Sequence, residues 1–500
     1  MERPATRCLR GLSYAGVGSV VAIALGAMVL GGFSGDWRPS HFDEWRSIAL
    51  AERFIQSGAL TPETPVGSPN GLARDISDRN RSLGFVAIVA AWLQLAPEPI
   101  RLYKGLALLF LLIYGAGVYS LSRKLGTGRW AALFGALTLA SLPTDTMLLG
   151  PALAVPSSLS LGLLCFALVA HLDLSAKEPA WPRGSIALLV ATTGLLAVTY
   201  LLNLVVFGAL VALDTLCRPA LARTHYLRSL AAIGFLGLLI LLAREAGSVP
   251  DDATGHLGKL LLLDQRWHLV SVITYTVDYM VAPPVLALAS VGALLSLRRP
   301  SHFWVAATFL GPLAALGGYV AWEKGLLIPY QRLGLYLGMG AALCAALGVQ
   351  QILVGLRRSG PGSAWIRAVA LALLALVVMA WPRPAPPFPR TTRLDRPGPA
   401  LEVLARRIDS SYGPPTTVWA APGHAMYLEA LTGLQIAPSA LDALLTGHAP
   451  PALDCEAGWD LVVGPCPCPN YTLAFAQSGV PVFVRTEPPV GTRKNRPSRP

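Results

Sequence analysis

"RGSIALLVATTGLLAVTYLLNLVVFGALVALDTLCR", residues 183–218, is apolar almost throughout and carries an arginine at each end. Arg and Lys collect on the cytoplasmic flanks of membrane helices, so a run that is basic on both sides should cross an even number of times. The continuous apolar stretch 186–215 therefore reads as a hairpin of two short helices that breaks near "TYLLN", residues 199–203. The same rule organises the rest of the chain.

The 500 residues are 53% hydrophobic and 14% charged. Apolar runs near twenty residues recur, the length that crosses a hydrocarbon core of ~30 Å. A net charge of +12 does not signal nucleic acid, because the Lys and Arg residues punctuate the ends of apolar segments and form no patch. The basic groups are Arg3, Arg7 and Arg10; Arg123, Lys124 and Arg129; Lys177 and Arg183; Arg218, Arg223 and Arg228; Arg298 and Arg299; and Arg357, Arg358 and Arg367. All face the cytoplasm if an even number of crossings separates each group from the next. Crossings are then predicted near 13–34, 104–121, 130–147, 157–171, 186–199, 202–216, 229–246, 282–297, 302–321, 333–356 and 365–381. The predicted fold is a polytopic α-helical membrane protein with about 11 transmembrane helices. Its first segment has a basic lead and lacks a small-x-small cleavage site, as expected of a retained signal anchor with the N-terminus cytoplasmic. "SLGFVAIVAAWLQLA" (82–96) is nearly long enough to cross, but crossing would strand Arg123, Lys124 and Arg129 outside. It is placed as an interfacial helix of the first outer loop.

The membrane domain is expected over 1–381, with the first extracytoplasmic loop at 35–103 and a Pro-rich linker at 382–397. A small extracytoplasmic α/β domain follows over 398–490, then a basic tail at 491–500. In that domain "ALEVLARRIDSSYG", "GHAMYLEALTG", "LDALLTG" and "YTLAFAQSG" read as helices, and "TTVWAA", "WDLVVG" and "VPVFVR" as strands. Outside the membrane, one disulfide from Cys455 to Cys466 or Cys468 is expected. No zinc-type CxxC pair is present, and no Gly-rich loop follows a strand to cradle a nucleotide.

The chemistry-bearing stretch is "HFDEWRSIALAERFIQSGALTP", residues 41–62. Asp43 suits the N-cap of a helix starting at Glu44, where the helix dipole favours an acid. Alternatively, one of the two carboxylates is a general base at the membrane surface. "FDEWRSIALAERFIQSGALTP" resembles the opening loop of the GT-C superfamily of polyprenyl-phosphate-sugar-dependent glycosyltransferases, which includes mannosyltransferases and aminoarabinose transferases. There an acidic pair heads a similar helix after the first membrane helix. "PEPIRLYKGLALLFLLIYGAGVYSLSRKLGTGRWAALFGALTLASLP" (97–143) is similar to the family's outer-face Arg, second helix, inner turn and third helix.

The resemblance implies transfer of a sugar from a polyprenyl-phosphate carrier to a glycan, lipid or protein acceptor on the outer face of the plasma (inner) membrane. It casts Asp43 as catalytic base, with Glu44 as its understudy. Arg332 in "IPYQRLGLYLG" and Arg101 in "PIRLYKG", with Lys324 nearby, would bind the donor phosphate, whose geometry and charge a guanidinium matches. Two departures stand out. "NRSLGF" replaces the family's His-Pro-Pro-Leu, and "LAVPSSLSLGL" offers Ser157 and Ser158 where many members carry an acid, with Asp145 a dozen residues earlier either a substitute or a turn residue. With so few oxygen ligands a divalent metal has no support, and no other cofactor is indicated. The alternatives are a transporter or flippase for lipid-linked glycans and a non-catalytic cell-envelope assembly protein. The first calls for ionisable residues near the membrane midplane, and the apolar segments read as nearly free of charge.

Overall fold

The computed structural model describes residues 39, 42–57, 83–139, 142, 153–175, 183–217, 281–322, 330–358, 399–412 and 416–420, and beyond these 428, 431–432, 434–436, 453, 455, 459–477 and 479–486. The predicted crossings 13–34, 229–246 and 365–381, the linker 382–397, the helix at "LDALLTG" and the tail 491–500 lie outside the described residues. Two compact units divide the chain, residues 1–38 with 101–391 and residues 39–100 with 392–500.

Helices are numbered along the chain. The second unit holds α1 (Phe42–Ser57) and α2 (Leu83–Leu95). The first unit holds α3 (Lys104–Lys124), α4 (Arg129–Thr138), α5 (Pro156–Leu174) and α6 (Arg183–Thr199). It continues with α7 (Leu201–Cys217), α8 (Pro283–Leu297), α9 (Phe303–Trp322) and α10 (Tyr330–Arg358). The second unit resumes with α11 (Pro399–Ser411). Among the described residues, three helices are long and apolar enough to span a membrane: Lys104–Lys124, Pro156–Leu174 and Leu333–Gly355.

Side-chain and backbone contacts set the helix directions in the first unit. Tyr103 meets Ala154 at the start of α3 and α5, and Lys124 pairs with Asp173 at their ends, so these two helices run parallel. Asn203 bonds Ser160 and Asp214 pairs with His171, making α7 parallel to α5 with the same 43-residue offset at both places. The chain breaks between α6 and α7 at Tyr200, inside "TYLLN", and α6 returns it to the end where α5 began. The apolar run is thus a hairpin of two 17-residue helices, as the charge rule required. Tyr336 bonds Asn203 near the start of α10, while Gln350, far along it, accepts from Gly128 in the turn after α3. Helices α3, α5, α7 and α10 therefore all begin at one end of the bundle.

The centre of the bundle is α10, which packs on α3, α4, α8 and α9. It is buried on every side from Leu333 through Val349 apart from a half-buried Gly334, the behaviour of an apolar helix inside a protein and not at its lipid face. Two glycines make its packing possible. A Cβ on Gly292 of α8 would overlap the backbone of Cys344, and one on Gly340 would overlap that of Thr308 in α9. Lipid tails offer helices no hydrophobic drive to associate, so close backbone approach through small residues supplies the contact.

In the second unit α1 packs on α2. Trp45, Ile48 and Ala51 of α1 and Phe85, Val89 and Ala90 of α2 are buried. At 13 residues α2 is about 20 Å long, short of a ~30 Å core. Downstream lies a five-stranded sheet in the order β2-β1-β3-β5-β4, from β1 (Thr417–Ala420), β2 (Gln435–Ile436), β3 (Leu461–Val463), β4 (Tyr471–Gln477) and β5 (Val480–Arg485). The strands β1, β2 and β3 are parallel, and β5 runs antiparallel to both β3 and β4. The strand β4 corrects the helix expected at "YTLAFAQSG". Its residues Tyr471, Leu473 and Phe475 alternate with small or polar ones, and Gly479 adopts φ 82°, the left-handed conformation a tight turn into β5 needs. Helix α11 buries Leu401, Leu404, Ala405 and Ile408 and lays Arg407 over the Phe475 ring of β4 at 4.2 Å. The disulfide joins Cys455 to Cys468, leaving Cys466 as a free thiol.

Candidate functional site

Four parallel helices that begin together place four positive dipole ends at one end of the bundle, each equivalent to roughly half a unit charge. Basic residues reinforce it. Arg101 stands exposed just before α3, and Arg332 is the third residue of α10. Lys104, in the first turn of α3, is only 1% exposed and was not singled out from the sequence, although it follows Arg101 by three residues. The first turn of α5 holds Ser157 and Ser158, both buried. Ser158 Oγ accepts from Val155 N–H at 3.3 Å and lies 2.7 Å from the Leu153 carbonyl, which closes the turn into the helix. Ser157 Oγ is buried without a hydrogen-bond partner.

Beneath this rim runs a polar chain that sequence reading also missed. Tyr336 Oη donates to Asn203 Oδ1, and Asn203 Nδ2 donates to Ser160 Oγ at 2.6 Å. Ser160 Oγ in turn donates to the Ser157 carbonyl at 3.0 Å. At the opposite end of the same seam His171 Nε2 and Asp214 Oδ2 lie 3.1 Å apart, both buried. The membrane segments are therefore less free of ionisable groups than expected. These two stand three residues from the ends of α5 and α7, however, away from the midplane position that a transport site would use. Partners 43 and 133 residues apart leave no local spacing to recognise.

In the other unit α1 begins at Phe42, so Asp43 and Glu44 both stand in its first turn; Asp43 is not the N-cap of a helix starting at Glu44. Glu44 is fully buried. Two turns on, burial pushes the Glu52 carboxyl above its ordinary range. Asp43 and Arg332 are placed by their backbone positions alone, and Lys324 and Asp145 lie outside the described residues. Among the described residues no three His, Cys, Asp or Glu side chains gather to hold a metal ion.

No protein-family model matches the chain, and no curated protein sequence matches it. Solved structures do. The oligosaccharyltransferase AglB of Archaeoglobus fulgidus, in complex with an inhibitory peptide and a dolichol-phosphate, superposes with a TM-score of 0.57 at 13% identity over 91% of this chain and 69% of that one. ArnT of Cupriavidus metallidurans bound to undecaprenyl phosphate gives 0.56 at 12% identity, over 94% of this chain and 98% of that one. The mycobacterial arabinofuranosyltransferase AftD gives 0.54 at 16%, over 93% of this chain but 40% of that one. The chain spans 63% of the archaeal enzyme in its peptide-tethered form. At these identities the likeness is one of fold: the chain shares the overall fold of these three structures.

Proposed function

We propose that the protein transfers a sugar from a polyprenyl-phosphate carrier to an acceptor hydroxyl, with the donor phosphate held at the bundle end where α3, α5, α7 and α10 begin. The observation that carries this reading is the convergence of Arg101, Arg332 and four helix N-termini on one end of a GT-C fold. That arrangement favours a lipid phosphate, and more strongly as the phosphate departs with the bonding pair. In this mechanism Asp43 takes the acceptor hydroxyl's proton, and the acceptor oxygen bonds the anomeric carbon. The carbon–oxygen bond to phosphate breaks, and Arg332, Arg101 and Lys324 hold the polyprenyl phosphate that leaves. Complete burial of Glu44 supports Asp43 as the base of the pair. The basic-residue rule puts this rim on the extracytoplasmic side of the membrane. Sugar and acceptor are left to experiment.

The test is transfer from radiolabelled polyprenyl-phosphate sugars in membranes. Asp43→Asn is expected to lower turnover at least about a hundredfold, the scale of a lost general base, with a smaller loss for Glu44→Gln. Full activity in both variants would remove the carboxylate assignment. An inert wild type that still supports flipping of lipid-linked glycans would replace the transferase with a transporter. Inertness in both assays would favour an assembly protein, the reading that Ser157 and Ser158 invite in place of an acid.

A further inference from the structure

We infer that the chain Tyr336–Asn203–Ser160 is a positioning device that holds the outer end of α10, and with it Arg332, at the height where a lipid phosphate is bound. The inference rests on the reading of Arg332 as a donor-phosphate ligand. Tyr336 follows Arg332 by four residues, one turn of the same helix. It is 5% exposed, Asn203 is 1% exposed and Ser160 is fully buried. Each link donates in the same direction, from α10 through α7 to α5, and the chain ends on the Ser157 carbonyl in the first turn of α5. Three helices are thus tied together about one turn inside the bundle. Because the linked groups are buried, each link lost costs a buried hydrogen bond, so the tie resists sliding of α10 along its neighbours. A displacement of about 1 Å is enough to disable an oriented charge.

The molecule carries its own control. His171 and Asp214 tie the same two helices, α5 and α7, eleven residues further along, near their other ends. If the outer tie only glues helices, both ties should matter in the same way.

The experiment uses the full-length protein in detergent micelles, with undecaprenyl phosphate as the probe. Affinity and thermal midpoint are measured for wild type, Tyr336→Phe, Asn203→Ala, Ser160→Thr and Asp214→Asn. Tyr336→Phe and Asn203→Ala are expected to weaken probe binding about fivefold to tenfold. Ser160→Thr, which keeps the hydroxyl, should bind as wild type does. Asp214→Asn should lower the thermal midpoint and leave affinity unchanged. In transfer assays the outer-tie variants should raise the donor KM by a similar factor with kcat within about twofold. Wild-type binding that persists unweakened in Tyr336→Phe and Asn203→Ala overturns the positioning role and leaves the proposed function standing. So does an equal loss in Asp214→Asn, which would make the tie merely structural. A wild type that binds no polyprenyl phosphate overturns the Arg332 reading and the inference together.

Discussion

The helix bundle and the five-stranded sheet solve the same problem with opposite means. In the sheet, water drives the packing: Trp459, Val462, Cys468 and Tyr471 form a small core, and the Cys455–Cys468 disulfide closes it. In the bundle, lipid supplies no such drive, and cohesion comes from glycines that let backbones touch and from a few buried polar ties. The sheet therefore tolerates changes of side-chain size at its rim and depends on a covalent staple. The bundle tolerates apolar exchange at its lipid face and depends on single atoms at its seams.

The sharpest way to break this contrast is Gly292→Leu. The added side chain has to displace the backbone at Cys344, and the expected outcome is loss of monodisperse protein on size exclusion. Gly292→Ala should give a folded protein with a visibly lower thermal midpoint, and a wild-type midpoint would show that the seam has slack. Next in size is the staple. Cys455→Ser is expected to cost the sheet about 3 kcal/mol, seen as faster proteolysis of the C-terminal region, while the bundle helices keep their wild-type melting. Reductant should reproduce the effect in wild type and add nothing to the variant.

Smallest is Glu52. Because burial raises its carboxyl, the folded state holds that proton more tightly than the unfolded chain does. Its contribution is present at acid pH and lost as pH rises through the raised value. Glu52→Gln should therefore stabilise α1 slightly at pH 8, by less than about 1 kcal/mol given its partial exposure, and not at pH 4. An equal midpoint difference at both pH values would remove burial of the charge as the cause.

What could be read in advance follows the range of the forces involved. The break at Tyr200 was visible because charge and hydropathy are local, and the flanking arginines report on topology without any knowledge of partners. The helix at Asp43 was legible for the same reason, although its first turn starts earlier than capping chemistry indicated. The strand β4 was misread because Leu, Ala and Gln favour helices while the alternation that wins depends on pairing with β5. Of the site, Arg101 and Arg332 stood out by type and position. Tyr336, Asn203 and Ser160 did not, since a tyrosine, an asparagine and a serine in apolar runs carry meaning only once three helices meet.

The two ties on the seam of α5 and α7 share one offset and are eleven residues apart, three helical turns that return a side chain to nearly the same face. A single inserted or deleted residue between Asn203 and Asp214, unmatched in α5, turns one partner about 100° away from the other. Descendants of this sequence can drift far in composition, but the count of residues between those two ties is held constant by geometry.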